Sequence, residues 1–265
     1  MYISSVFLFF FIVSMKKALM GIGVLALCGM IAGCAISWPK QNDESQKQVV
    51  LVSGHPDWKP IMYKSGESIA GMGVEVTQSV FNDIGFAVNA KYIGAWDIVQ
   101  EQAKQWSIDV IVALYKTKER EQYLDYSIAY TEDPIVLFFS GWKSFAYTGK
   151  ENLVGKKGVV TIGDSYGQEL DDFIVSASLD ITRVATPQEA FTSLQKGKID
   201  YFMYSLYAGK KVINELSLTG IEESSVVSSQ PFYIGISKKS PYAKYLKEIN
   251  ASLQKMIDEN KIPKK

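Results

Sequence analysis

The sequence predicts an α/β protein of 265 residues, and three observations predict it. Short β-rich apolar runs alternate with stretches of helical period, and this alternation comes in two series, one before and one after Asn152. Two longer apolar runs, residues 134–140 and 231–237, lack an immediately following helix. Alternating strand and helix signals are the pattern of parallel sheets covered by helices. The two longer runs suit paired strands that cross between two bodies, which makes a hinge.

The elements follow in order. Residues 49–53 form a nearly continuous apolar run, as a strand buried on both faces requires. Residues 72–84 place Val76, Val80, Phe81 and Ile84 on one helical face, with Gly85 as the C-cap. Strands are expected at 86–92 and 108–114, with a helix at 96–106 between them. In the second series, strands are expected at 158–162, 181–185 and 199–203, a helix at 165–176 and extended chain at 225–229. Thr186-Pro187-Gln188-Glu189 reads as an N-cap, a proline at the first helical position and a glutamate at the third, so a helix runs to about residue 196. A helix over 206–216 follows, and an amphipathic helix over 242–260 closes the chain with Leu246, Ile249, Leu253, Met256 and Ile257 on one side.

At 47% hydrophobic and 21% charged residues, the chain buries a sizeable core and is too apolar to be disordered. Basic and acidic residues balance at 28 each with no extended block of one sign, which removes the electrostatic case for nucleic-acid binding. The first 36 residues differ: they hold no acid, and two apolar runs, 6–13 and 18–32, flank Lys16 and Lys17. Read from Met15, an alternative start to Met1, this is a basic region, an apolar stretch and small residues, the order of an export signal. Ile31-Ala32-Gly33-Cys34 resembles the bacterial lipobox, which implies acylation of Cys34 and removal of residues 1–33. An uncleaved membrane helix and a cleaved signal with an ordinary thiol are the competing readings; the small Ala32-Gly33 pair favours cleavage. Cleavage removes Lys16, Lys17 and Cys28, leaving 26 basic against 28 acidic residues, a charge of −2, and no second cysteine for a disulfide. Residues 34–48, polar and without apolar periodicity, read as a tether.

Tyr115-Lys116-Thr117-Lys118-Glu119-Arg120 follows a buried strand and precedes Asp125-Tyr126-Ser127. Only two of the 28 basic residues are arginines, Arg120 and Arg183, so lysine is the default cation and an arginine here stands out. A guanidinium presents a planar fork that binds a carboxylate through two parallel bonds, and Thr117 adds a hydroxyl or N–H at the same strand end. Ligands of open α/β sheets sit beyond the carboxyl ends of strands, where this motif falls. The competing reading pairs Arg120 with Glu119 or Glu121 on a solvated helix. Gly163-Asp164-Ser165, between a strand and a helix start, offers backbone N–H groups to an anion; alternatively Asp164 and Ser165 simply cap the helix. His55 and Trp58 end the first strand, whereas Trp96 is spaced for packing in the core.

The Thr117-x-Glu119-Arg120 and Asp125-Tyr126-Ser127 patterns resemble those of the bacterial extracellular solute-binding proteins of family 3, the polar amino-acid receptors of ABC transporters. The His55-Pro56-x-Trp58 segment, the Gly71-x-x-Val74-Glu75 helix start and the Ile162-Gly163-Asp164-Ser165 turn extend the likeness from about Val49 onward. The resemblance implies a periplasmic-binding-protein-like fold: two three-layer α/β/α lobes joined by two crossing hinge strands, with lobe 1 at 49–138, lobe 2 at 139–231 and a return to lobe 1 at 232–265. It implies Arg120, Thr117, Tyr115, Trp58 and His55 as ligand contacts from lobe 1, and Asp164, Ser165, Tyr204 and Ser205 from lobe 2. The chain departs from the pattern at Ser205, where receptors for α-amino acids carry an aspartate for the ammonium group, so the ligand's identity stays open unless Asp164 or Asp57 substitutes. The implied role is capture of a small, carboxylate-bearing solute by hinge closure and delivery to an ABC-transporter permease, by a membrane-anchored, exported monomer. The alternatives are a ligand sensor for a signalling partner and a dehydratase using Asp164 or Glu132 as general acid or base. One histidine and one acylated cysteine make no metal site, and no G-x-S-x-G or P-loop is present, so no cofactor is expected.

Overall fold

The computed structural model describes residues 48–263; the apolar leader, Cys34 and the tether up to residue 47 lie outside the described residues. The chain runs β1 (Val49–Ser53), β2 (Asp57–Trp58), β3 (Met62–Ser65), β4 (Ser68–Ala70), α1 (Met72–Asp83), β5 (Ala87–Ala90), α2 (Trp96–Lys104), β6 (Val110–Leu114), β7 (Leu124–Tyr126) and β8 (Thr131–Ser140). It continues through β9 (Gly158–Thr161), α3 (Gln168–Ser176), β10 (Ile181–Val184), α4 (Pro187–Gln195), β11 (Tyr201–Ser205), α5 (Leu206–Glu215), β12 (Ile221–Glu223), β13 (Ser228–Ser237) and α6 (Leu246–Asp258).

The strands join in the order β10-β9-β11-β8-β13-β6-β1-β5, with β12 on β8 and β7 on β13. At each end the pairing is parallel, β1 with β5 and β6, and β9 with β10 and β11. The two long antiparallel strands lie between. β13 pairs with β8 from Ser228 to Phe232 and with β6 from Tyr233 to Ile236, so it changes neighbour between Phe232 and Tyr233. β8 likewise pairs with β13 at its start and with β11 from Ile135 to Phe138. These are the expected crossing runs, each begun three residues earlier than its apolar signal.

Every residue of β6, β9 and β11 is buried, as their continuous apolar composition requires of strands covered on both faces. Val110 and Val112 of β6 belong to the core beneath α1 and α6, while Ile111 packs with Trp96 and Val99 of α2 on the opposite face. The stripe expected on α6 is the one that packs: Ile249 and Leu253 are buried, and Leu246, Met256 and Ile257 lie against them. The α4 start is also as read, with Thr186 Oγ1 accepting from the Glu189 N–H and Glu189 Oε2 accepting from the Ala185 N–H.

Three expectations are corrected. The helix expected from 165 begins at Gln168, because Asp171 reaches back to accept from the Tyr166 N–H at 2.9 Å and from the Ser165 hydroxyl, holding 163–167 as a turn. The strand expected at 199–203 runs 201–205, placing Tyr204 and Ser205 inside the sheet. Of the extended segment expected at 225–229, only Ser228 and Ser229 are in a strand, the start of β13, and 225–227 link β12 to it. The short β2-β3-β4 sheet and β7 carried no sequence signal strong enough to be expected.

Candidate functional site

The α2 helix, the chain after β6 and the turn after β9 converge on Arg120. The residue is 5% exposed, and its guanidinium bonds to three side-chain and backbone oxygens. Nε donates to Gln100 Oε1 at 2.9 Å, Nη1 to the Tyr115 carbonyl at 3.0 Å and Nη2 to the Gly163 carbonyl at 3.1 Å, with the Trp96 ring centroid 5.4 Å from Cζ. Thr117 Oγ1 accepts from the Arg120 N–H at 3.2 Å and holds the turn that aims the side chain. The local pairing alternative is overturned: Glu119 is bonded to Lys104 and Glu121 to Lys116. Among the described residues Arg120 has no ion pair, so three of its five N–H donors serve neutral oxygens.

A second charged residue lies behind the aromatic wall. Asp133 of β8 is fully buried; Oδ2 accepts from Trp58 Nε1 at 2.8 Å and from the Tyr115 hydroxyl at 2.7 Å, and Oδ1 from Ser205 Oγ at 2.9 Å. Burial, and next the charge of Asp133, hold the Tyr115 phenol well above its ordinary pKa. Tyr204 packs on Trp58 with ring centroids 4.7 Å apart and donates to the Asp57 carbonyl at 2.7 Å. His55 Nδ1 accepts from the Asp57 N–H at 2.9 Å, so the ring's proton sits on Nε2 and is donated to Asp164 Oδ1 at 3.1 Å. Asp164 also accepts from the Thr161 hydroxyl.

His55, Trp58, Tyr115, Arg120, Asp164 and Ser165 thus line one cavity together with Trp96, Met62, Leu114 and Phe232. Thr117 lies on an adjoining groove that shares Arg120, Asp164 and Ser165 with the cavity, and Tyr204 and Ser205 stand behind Trp58 and Asp133. The expected anion cradle at 163–165 is corrected: these residues do not open a helix, and what Gly163 turns toward Arg120 is its carbonyl. Trp96 is buried in the core as expected, and it also forms a wall of the cavity, its ring 5.3 Å from that of His55. Asp133 and Gln100 were missed. The signal for Asp133 was an acid at the mouth of an apolar run; that for Gln100 was its place one helical turn after Trp96.

Even counting the open solvent at its mouth the cavity is about 230 Å³, below the ~300–1,000 Å³ of ordinary small-molecule sites. Its polar groups bond to one another, so a solute of amino-acid size enters only if the walls separate. Among the described residues no group of His, Cys, Asp and Glu could hold a metal ion, and no helix is long and apolar enough to cross a membrane.

Comparison with known proteins gives a consistent picture. Residues 50–264 match the bacterial extracellular solute-binding proteins, family 3. The arginine-binding extracellular protein ArtP of Bacillus subtilis is 21% identical over 188 residues, 70% of this chain and 66% of that protein's length. Among solved structures, a histidine kinase sensor domain with similarity to periplasmic binding proteins superposes with a TM-score of 0.71 at 20% identity, covering 82% of this chain and 94% of that one. Holo ArgBP from T. maritima superposes at 0.64 with 21% identity, covering 78% and 90%.

Proposed function

The chain belongs to the bacterial extracellular solute-binding proteins, family 3, and from that membership we propose that it captures a small carboxylate-bearing solute, amino-acid-like in size, between two lobes. Lobe 1 comprises residues 49–138 and 232–265, lobe 2 residues 139–231, and the hinge is the pair β8 and β13, whose change of neighbours at Phe232 and Tyr233 supports this division. The family and its relatives here are binding proteins, which supports a non-enzyme. Family membership also makes it an exported protein. The proposal adds anchoring through a lipid on Cys34 and delivery of the solute to an ABC-transporter permease.

The observation that carries the reading is the Arg120 guanidinium, buried at the cavity wall with neutral acceptors alone. The guanidinium's bonds to these carbonyls are already charge-assisted, and a carboxylate adds the attraction of a full opposite charge and a two-bond fork that a carbonyl cannot offer. A carboxylate that displaces the Tyr115 and Gly163 carbonyls therefore gains more than the cavity loses. Because the Gly163 contact comes from the lobe opposite Arg120, the exchange also couples ligand to closure. ArtP's arginine-binding name supports amino acids as the first solutes to try. The test is calorimetric titration of the 20 common L-amino acids and their methyl esters. A micromolar ligand, about −8 kcal/mol, is expected among the acids, with its ester at least tenfold weaker; an ester bound as tightly as its acid overturns the role of Arg120.

A sensor reading shares this geometry, and the histidine kinase sensor domain shares the fold. Deleting the gene separates the two: lost uptake of the ligand supports the transporter role, whereas normal uptake with a lost response to the ligand supports the sensor.

A further inference from the structure

Four exposed lysines, Lys238, Lys239, Lys244 and Lys247, fall within ten residues that hold no acid, in a chain whose charges balance overall. None of the four is in an ion pair among the described residues. Lys238 Nζ donates to the Glu121 carbonyl, whereas Lys239 and Lys244 lie on aromatic rings, Nζ 4.0 Å from the Trp106 centroid and 5.1 Å from that of Tyr245. Trp106 is unusual in itself. It is 51% exposed, and its φ of 63° lies in the left-handed region that a bulky side chain rarely adopts. It stands just past the end of α2, where glycine is the usual residue, so core packing does not account for an indole there.

These residues share the pole of lobe 1 opposite the cavity, and the strand directions place them there. His55, Tyr115 and Arg120 lie beyond the carboxyl ends of β1 and β6, whereas Trp106 precedes β6 and the lysines follow β13, which runs antiparallel to β6. The Ser237 N–H donates to the Asp109 carbonyl and the Ser240 hydroxyl to Asp109 Oδ1, joining the start of β6 to the lysine segment. The chain enters at the same pole. Gln48, at the head of β1, accepts from the Ala87 N–H, and the neighbouring Phe86 packs 4.9 Å from Tyr245. The exposed acids adjoining these segments, Asp83, Glu101 and Glu248, are fewer than the lysines, and Glu101 is bonded to Gln105.

We propose that this pole rests on an anionic bilayer, with the lysines on lipid phosphates and the Trp106 indole at the level of the headgroups. This rests on the reading that Cys34 carries the lipid anchor. Residues 34–47 reach at most about 50 Å when fully extended, so the end of lobe 1 into which they lead stays near the surface, and its meeting with headgroups becomes intramolecular. Lysine and anionic lipid attract one another within a screening length of ~8–10 Å, which selects the lysines at the anchored end over those elsewhere. Tryptophan suits that boundary because its ring is apolar and its N–H is polar. The orientation has a consequence for capture. β1 and β6, five residues each, set the cavity about 17 Å farther out, so it opens toward solvent instead of lipid.

The test couples the mature chain, residues 34–265, through its single thiol to a maleimide lipid in vesicles of phosphatidylcholine, with or without about one-third phosphatidylglycerol. Acetylation of each lysine by a water-soluble reagent is then read by mass spectrometry. Lys239, Lys244 and Lys247 are expected to react roughly threefold or more slowly on the anionic vesicles than on the neutral ones. Lys157, Lys196 and Lys198, exposed in lobe 2, should react alike on both. Salt at about 0.5 M, where the screening length falls to ~4 Å, should remove the protection, and the double variant Lys239→Glu, Lys244→Glu should remove it at Lys247. Equal rates on the two membranes, protection that survives the salt, or protection of the lobe 2 lysines instead overturns the proposal. Protection on whole cells alone assigns the pole to a protein partner and overturns it too. The maleimide lipid stands in for natural acylation, so the anchor reading is judged separately, by the mass of the exported protein. An unacylated Cys34 with the vesicle protection intact fails that reading and leaves the lipid-binding surface standing.

Discussion

Replacing Arg120 by alanine separates a ligand group from a structural prop. The substitution removes three hydrogen bonds, at 2.9, 3.0 and 3.1 Å. The Tyr115 carbonyl, on a buried residue, loses a charged donor, a loss of about 1–3 kcal/mol. Gly163 and Gln100 border the outer groove, where water replaces the guanidinium at little cost. Relief of the buried charge works in the opposite direction. A net loss of about 1–3 kcal/mol, at ~2–4 °C per kcal/mol for a domain of this size, lowers the unliganded Tm by roughly 2–12 °C. The effect on ligand is larger. Removing one member of a buried charge pair typically costs ~2–5 kcal/mol of binding, so a ligand at a hundredfold over its Kd, which stabilises the wild type by about 2.7 kcal/mol, stabilises the variant by about 0.9 kcal/mol or less. Scanning calorimetry with and without ligand reads both quantities. A variant that keeps the full ligand-induced rise, or whose unliganded Tm collapses by more than about 15 °C, shows that the arginine holds the fold instead of the solute.

Tyr115→Phe preserves the ring and deletes the 2.7 Å bond to Asp133, so it should cost about 1.5–3 kcal/mol, read as a lower midpoint in urea with an unchanged slope. Asp57 has its carboxyl pKa raised by burial, with His55 opposing, so the folded state holds this proton more tightly than the unfolded chain does. Its contribution is therefore greatest below the unfolded value of ~3.9 and is lost as pH rises through the raised folded value. Asp57→Asn should accordingly raise the Tm at pH 7 while changing it little at pH 3; a variant less stable at pH 7 would refute the assignment.

The stretch from Gly158 to Ser205 shows how pattern and packing divide the information. The Thr186-Pro187-Gln188-Glu189 signal is satisfied by contacts within four residues, so α4 starts where it is read. The turn at 163–167 is set by Asp171, and the strand at 201–205 by its register with Val136 and Ile135 across β8, so local pattern misplaced both. The same division holds at the site. Arg120 was legible because arginine is rare in this chain and stands at a strand end. Trp96 was correctly read as core, but helical spacing gave no sign that the same ring also walls the cavity.

By itself the sequence determined the alternation of strands and helices, the two long crossing runs, the export-signal pattern and a guanidinium at the end of a buried strand. All of these follow from periodicity and residue type over a dozen positions or fewer. Only the tertiary structure decided that Ser205 lies against the carboxylate of Asp133, 72 residues earlier in the chain, and that His55 meets Asp164 across 109 residues. Strand pairing and loop placement set which distant side chains share a cavity, and no local spacing in the chain encodes that choice.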